Sequence, residues 1–227
     1  MNYLELCQRA RQEAGISGSG PTTVSGQIGQ LAKIVDWVAT AWTDVQRMRP
    51  NWLFMNSEFT FDTAAATRDY LASDYSITDL LLWDYDSFLI YETATGESDE
   101  NELKYYTYAN WRSAFRVRMN DRADERPQLI TILPSNQVRF EPRPDDIYTI
   151  TGEYKRTAQT LTDDADTPTG LPEDFHMVIV WAALKYYGFH ENAPEVLDQA
   201  ETNFDALLLR LENEQLPEMS EDYQALA

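Results

Sequence analysis

The chain has 227 residues, of which 43% are apolar and 12% aromatic, enough for one large domain or two small ones with a real core. Its formal net charge of -20 argues against gripping nucleic acid through clustered Lys and Arg, and against adhering to an anionic membrane surface. No apolar run reaches the ~18 residues of a membrane span; Met1–Glu5 lacks the basic and apolar regions of a secretory signal; and the single cysteine, Cys7, allows no intrachain disulfide, so a protein made and folded in the cytosol is expected. The charge is uneven. Residues 1–50 carry a net of +1, residues 51–160 a net of -8 and residues 161–227 a net of -13, so different parts are expected to face different surroundings.

The first helix is predicted over 2–14, capped by Asn2, with Tyr3, Leu6, Cys7 and Ala10 on one face and Gly15 ending it. A Gly-rich break follows. Val24, Ile28, Leu31, Val35, Val38, Trp42 and Val45 then repeat with 4-3-4-3-4-3 spacing, which predicts a long helix with one apolar stripe. Ile34, Trp37 and Ala41 form a second stripe beside it. Two stripes imply either a central helix of a bundle, or one stripe packing inside the subunit and the other, Ile34, Trp37 and Ala41, against a neighbouring subunit. Arg47 and Arg49 suit the C-terminus of this helix, and Pro50 stops it.

From Trp52 to about Arg156 the pattern turns to strands. Leu81–Tyr91 is rich in Leu, Trp, Phe and Tyr; Leu129–Leu133 and Val138–Phe140 flank Pro-Ser-Asn-Gln as a hairpin; Ile147–Tyr154 reads as a further strand. One short helix is expected near Tyr108–Met119. After an acidic, Thr-rich loop over 157–170, a third helix starts at Leu171-Pro172-Glu173-Asp174, with Phe175, Val178, Ile179, Ala182 and Tyr186 on its buried face. A fourth restarts at Asn192–Glu195, with Leu197, Ala200, Phe204, Leu207 and Leu211 at helical spacing. The short connection predicts antiparallel packing of these two. The expected fold class is α+β: a four-helix bundle from 1–51 and 157–216, a β-rich insertion over 52–156, and a tail over 217–227.

Signs of chemistry are sparse. Glu173-x-x-His176 has di-iron spacing, but His190 has no matching Glu, so His176 reads as a histidine at the solvent edge of a helix. Asp163, Asp164 and Asp166 hint at calcium, but Pro168 falls where the next ligand is needed, so the loop reads as a solvated linker. No Gly-x-Ser-x-Gly elbow, Walker loop or dinucleotide fingerprint occurs, and Cys7 reads as a small buried hydrophobe. Asp84 and Asp86 beside Trp83 and Tyr85 leave a glycosidase or carbohydrate-binding reading open. Arg112, Arg116, Arg118, Arg122 and Arg126 lie near Tyr108 and Trp111, an arrangement that can serve single-stranded nucleic acid. Asp121, Asp124 and Glu125 dilute it in favour of an interface or an internal ion-pair network. No catalytic residue, metal or cofactor is expected.

Three stretches carry a resemblance. The first is the opening helix and break, then Ile34-Val35-x-Trp37-Val38-x-x-Ala41-Trp42-x-x-Val45-Gln46 and Trp52-Leu53-Phe54-Met55. The second is Asp146-Ile147-Tyr148-Thr149-Ile150-x-Gly152-Glu153-Tyr154-Lys155-Arg156. The third runs from Leu161 through Asp164-x-Asp166-x-Pro168 and Leu171–His176 to Ala183-Leu184-x-Tyr186-Tyr187. Together they resemble the head-to-tail adaptor (connector) proteins of tailed bacteriophages. The resemblance implies a structural virion protein of the neck, in a ring of about twelve subunits closed through head-to-tail interfaces. It implies the portal protein and a tail or nozzle protein as partners. DNA would pass through the lumen without being bound, and no membrane is involved. It also implies that the C-terminal segment reaches the portal, with Pro217, Met219, Tyr223 and Leu226 as the candidate contacts. Another neck or tail completion protein, such as a tail terminator or head-completion factor, stays open.

Overall fold

A computed structural model describes residues 1–117 and 119–216. It is α+β, with five helices and two sheets, and it divides into two compact units: Met1–Met55 with the chain from Ala158 on, and Asn56–Thr157 between them.

The first unit holds four helices around one core. Helix α1, Tyr3–Glu13, begins with a reciprocal capping box: Glu5 N–H donates to Asn2 Oδ1 and Asn2 N–H to Glu5 Oε2, both at 2.9 Å. Its predicted face, Tyr3, Leu6, Cys7 and Ala10, is buried. Helix α2, Gly29–Met48, starts later than the apolar spacing predicts. Gly26 and Gly29 take φ of 69° and 61°, left-handed values that break a helix. Ile28 is left extended and 85% exposed, and Val24 is held by other means. The spacing of these two residues therefore continues the stripe without continuing the helix. At the other end Arg49 is extended before Pro50, as the proline ring requires.

Helix α4, His176–His190, follows a single tight turn over Glu173–Phe175. Val178 through Leu184 are all buried, so α4 is apolar on every side and is the central element of the unit. Helix α2 lies in the same core, burying Ile34 and Ala41 of one stripe with Val35, Val38, Trp42 and Val45 of the other. Tyr186, expected on the buried face of α4, is instead partly exposed. Helix α5, Pro194–Gln215, opens with Pro at its first turn and returns along α4 after three residues, burying Ala200, Phe204 and Leu211. The two approach closely at Gly188, where a Cβ would lie 2.8 Å from Leu197 Cβ and 3.1 Å from Leu197 Cα.

The second unit pairs two four-stranded sheets. One has the order β1-β8-β3-β4, with β1 Asn56–Asp62, β8 Tyr148–Arg156, β3 Leu80–Glu92 and β4 Asn101–Glu102. The other has the order β2-β7-β6-β5, with β2 Asp69–Tyr70, β7 Val138–Glu141, β6 Leu129–Ile132 and β5 Lys104–Tyr105. The predicted hairpin is β6 and β7, turning through Asn136 at φ 64°. Phe59, Phe61, Trp83, Phe88 and Ile150 from the first sheet share one core with Tyr70, Ile130, Val138 and Phe140 from the second. Gly152 on β8 leaves the space that the Phe59 ring fills, since a Cβ there would lie 2.8 Å from Phe59 Cζ. Helix α3, Tyr108–Phe115, packs here through the buried Trp111 and is shorter than the predicted span.

Candidate functional site

The chain's functional surfaces rest on polar ties within each unit. In the helical unit the acidic loop is a clamp, not the solvated linker its composition suggests. Asp164 Oδ1 accepts from Val24 N–H at 2.6 Å and Thr23 Oγ1 at 3.1 Å. The carbonyls of Asp166 and Asp164 accept from the N–H groups of Tyr3 and Leu4 at 2.7 and 3.3 Å, at the start of α1. Asp166 Oδ2 accepts from the backbone of Thr162 and Asp163 and from Thr162 Oγ1, and these bonds hold its carboxyl below the usual range. The Asp164 and Asp166 carboxylates are spent on backbone N–H and threonine hydroxyl donors. Among the described residues no three His, Cys, Asp or Glu side chains gather to hold a metal ion.

Gln46 and Gln159 form a second tie. Gln46 Nε2 donates to Trp42 O at 3.1 Å and to Gln159 O at 2.9 Å, and its Oε1 accepts from Gln159 N–H at 2.8 Å. Gln159 Oε1 accepts in turn from Trp42 Nε1 at 3.0 Å and Thr169 N–H at 2.9 Å.

His176 is buried, not at the solvent edge. Its Nδ1 accepts from the N-terminal ammonium of Met1 at 2.7 Å, and its Nε2–H donates to Leu171 O at 3.2 Å. Burial first, then the neighbouring positive charge, pushes its pKa down. Both ring nitrogens are occupied, so His176 has no free ligand atom to pair with Glu173. Cys7 is buried as expected, with its thiol pushed up to about 12 by burial and by Asp164.

The helical unit exposes an apolar cleft of about 170 Å³ lined by Met48, Ala182, Phe189 and Phe204, with Asp44 and Lys185 at its edge. Phe189 is 71% exposed. Tyr186 donates to Asp44 Oδ2, which pushes its phenol up to about 12. Of the predicted intersubunit stripe, Ile34 and Ala41 are buried in this unit's own core. Trp37 is half-buried beside Tyr187 and His190 and keeps surface to offer. On the outer side of α5, Glu195, Asp198, Glu201 and Asp205 are all exposed at helical spacing and form an acidic stripe. The predicted contacts Pro217, Met219, Tyr223 and Leu226 lie outside the described residues.

In the β unit Arg122 and Arg126 of the arginine-rich stretch join an ion-pair network with Arg68, Arg139 and Arg143 from elsewhere in the unit. The Glu141 carboxylate, 2% exposed, sits between Arg68 and Arg122. Arg143 grips Asp124 with two bonds, at 2.6 and 2.9 Å, and Arg126 reaches Asp99 at 2.6 Å. Arg139 grips Asp69 with two bonds at 2.5 Å and lies over the Trp111 ring. Arg112 and Arg116 are exposed, as is Lys104 on β5; Arg118 lies outside the described residues. Of the two aromatics behind the carbohydrate reading, Trp83 is buried and its Nε1–H donates to Asn136 O at 3.1 Å, while Tyr85 is exposed and stacks on Tyr105. Asp84 and Asp86 sit on an exposed bulge of β3 that Ser87 ties together, its Oγ donating to Asp84 O and accepting from Glu153 N–H, both at 2.7 Å.

A family model described as SU10 adaptor protein matches residues 1–224. The chain belongs to the SU10 adaptor protein family. The match spans both units, as the three resembling stretches do. A search among curated proteins found no match. Membership makes the chain a bacteriophage adaptor, a structural protein that associates with other components of the virion neck. No described helix is long and apolar enough to cross a membrane. The sequence pointed to Asp164 as a cation ligand and to Gln46 only within a resembling stretch, and nothing in it marked either as a tie or marked Gln159 at all.

Proposed function

We propose that the chain is one subunit of a ring seated beneath the capsid portal, bridging portal to tail, with the genome passing through its lumen. The observation that carries this reading is the adaptor-family match over residues 1–224. The charge supports it. A conduit must not hold DNA, and the exposed acids of α5 repel phosphates. In this reading 1–51 and 157–216 are the adaptor core, 52–156 is an insertion that faces outward or tailward, and 217–227 docks on the portal. Met219, Tyr223 and Leu226 after Pro217 are the apolar anchors of that tail. Neighbouring subunits meet through the stripe that carries Trp37, with Ile34 and Ala41 behind it in the subunit core.

Copy number on purified particles tests the ring. The chain should match the portal protein one to one; a sixfold complement would favour a tail terminator instead. Deleting 217–227 tests the tail. The truncated chain should keep its unfolding midpoint and lose portal binding, and retained binding would remove the tail from the interface.

A further inference from the structure

Strand β3 has 13 residues, yet its first part has a neighbour on one side only. Leu80, Leu82, Trp83 and Asp84 pair with β8, with the register shifting at Leu81, while on the other side β3 meets β4 only at Leu89 and Ile90. Among the described residues no strand covers the outer edge of Leu80–Asp84. That edge is apolar: Leu81 is 47% and Leu82 61% exposed, and Tyr85 beyond them is exposed and stacked on Tyr105 at 4.1 Å. The other free edge of the same sheet, β1, is built in the opposite way. Its exposed residues are Asn56, Glu58, Thr60 and Asp62, the polar and charged guard that keeps an edge solitary. The β3 edge has Leu80-Leu81-Leu82-Trp83 with no Lys or Pro in it, so it lacks that guard.

We propose that the Leu80–Asp84 edge is a docking site for an extended segment of a different protein, one whose apolar strand is flanked by Lys or Arg. The segment would add a strand beside β3, with backbone hydrogen bonds supplying affinity and Leu81 and Leu82 supplying apolar contact. Five residues is the length of an ordinary strand. Charge selects the partner. Asp79, Asp84 and Asp86 on this chain segment, with Glu153 on β8, outnumber Lys155 and Arg156 on β8, so the surface around the leucines is acidic. The same charge disfavours a second copy. The free β1 edge carries Glu58 and Asp62, and the C-terminal tail carries Glu218, Glu221 and Asp222. Like charges placed opposite one another on paired strands destabilise the pairing. The inference rests on the reading of the chain as a neck subunit, since that assembly supplies the partner.

The test uses the full chain carrying Leu82→Cys, incorporated into particles. Cys7 is buried, so maleimide reports position 82. Labelling in particles should be at least about tenfold slower than in the free chain, as for a site occupied most of the time. A benzophenone maleimide at the same position should cross-link to a different protein, within a segment flanked by Lys or Arg. Leu81→Cys is the second variant if Leu82→Cys fails to fold or to incorporate. Equal labelling in chain-bearing particles, a cross-link between two copies, or a cross-link to an acidic segment would each overturn the proposal and leave the neck reading standing. Absence of the folded wild-type chain from particles would overturn both.

Discussion

Gln46 lets the role of a buried polar tie be measured. Its side chain is 5% exposed, on the face of α2 that meets the strap around Gln159. Leu has nearly the same size, so Gln46→Leu keeps the packing and removes three hydrogen bonds. Trp42 O sits in the helix, so losing its extra donor matters little. Gln159 is different, because its N–H and C=O are both left without the partners they have at 2.8 and 2.9 Å. An unsatisfied buried backbone group costs about 1–3 kcal/mol. Two such groups, less the gain from burying an apolar Leu in place of an amide, put the net loss at about 2–4 kcal/mol. Urea unfolding at constant m-value is the assay, with m-values of about 1–3 kcal/mol/M, so the midpoint should fall by roughly 1–2 M. Gln46→Glu separates the terms. It keeps an acceptor for Gln159 N–H but loses the donor to Gln159 O, and it buries a charge. A Gln46→Leu chain as stable as the wild type would show that the strap satisfies itself by other means, and would refute the tie.

In the β unit, Glu141→Ala leaves Arg68 as a buried cation without its partner and should cost about 3–5 kcal/mol by urea unfolding. Stability should also depend on pH through His176. Its folded pKa lies below the unfolded value of about 6.5, so the unfolded state takes up the proton first. The contribution is fully present above the unfolded value and is lost as pH falls below it, with a slope of at most about 1.4 kcal/mol per pH unit. Subtracting the profile of His176→Gln from that of the wild type isolates it, and a flat difference between pH 7.5 and 5 would count against the buried neutral imidazole. Gly188→Val should destabilise by about 1–3 kcal/mol in thermal or urea unfolding, because its new methyl groups meet the Leu197 backbone at the start of α5.

What the sequence could show depended on distance along the chain. Asn2 and Glu5 lie three residues apart, so the α1 cap is legible as a motif. The β6–β7 hairpin is local too. The start of α2 misleads because Val24 and Ile28 keep the apolar spacing, while the backbone at Gly26 and Gly29 decides otherwise. Burial of α4 on every side is hard to read from sequence because nearly every position of the run is apolar and no single face stands out. The ties that organise the helical unit join Gln46 to Gln159 and Val24 to Asp164, more than a hundred residues apart. Polar residues of that kind look like surface until the fold brings their partners to them. The acidic loop is the clearest case: its carboxylates suggest solvent or a cation, and in the fold they hold backbone N–H groups.

The placement of charge bears on how such a chain treats DNA. In the β unit Arg68, Arg122, Arg126, Arg139 and Arg143 are committed to carboxylates, so they are not available to grip phosphate. Pairing leaves the net charge unchanged, but it takes these five out of the set of free cations, leaving Lys104, Arg112 and Arg116 exposed. On α5 the exposed acids Glu195, Asp198, Glu201 and Asp205 follow one face, and none of them forms an ion pair among the described residues. At physiological salt their field decays within about 8 Å. An acidic wall in the proposed ring therefore does little to steer DNA across a wide lumen. It acts at contact range, where repulsion prevents the adhesion that would stall a moving genome. Salt should then have little effect on passage through the lumen, while it weakens any contact that depends on the acidic β3 edge, where opposite charges must meet.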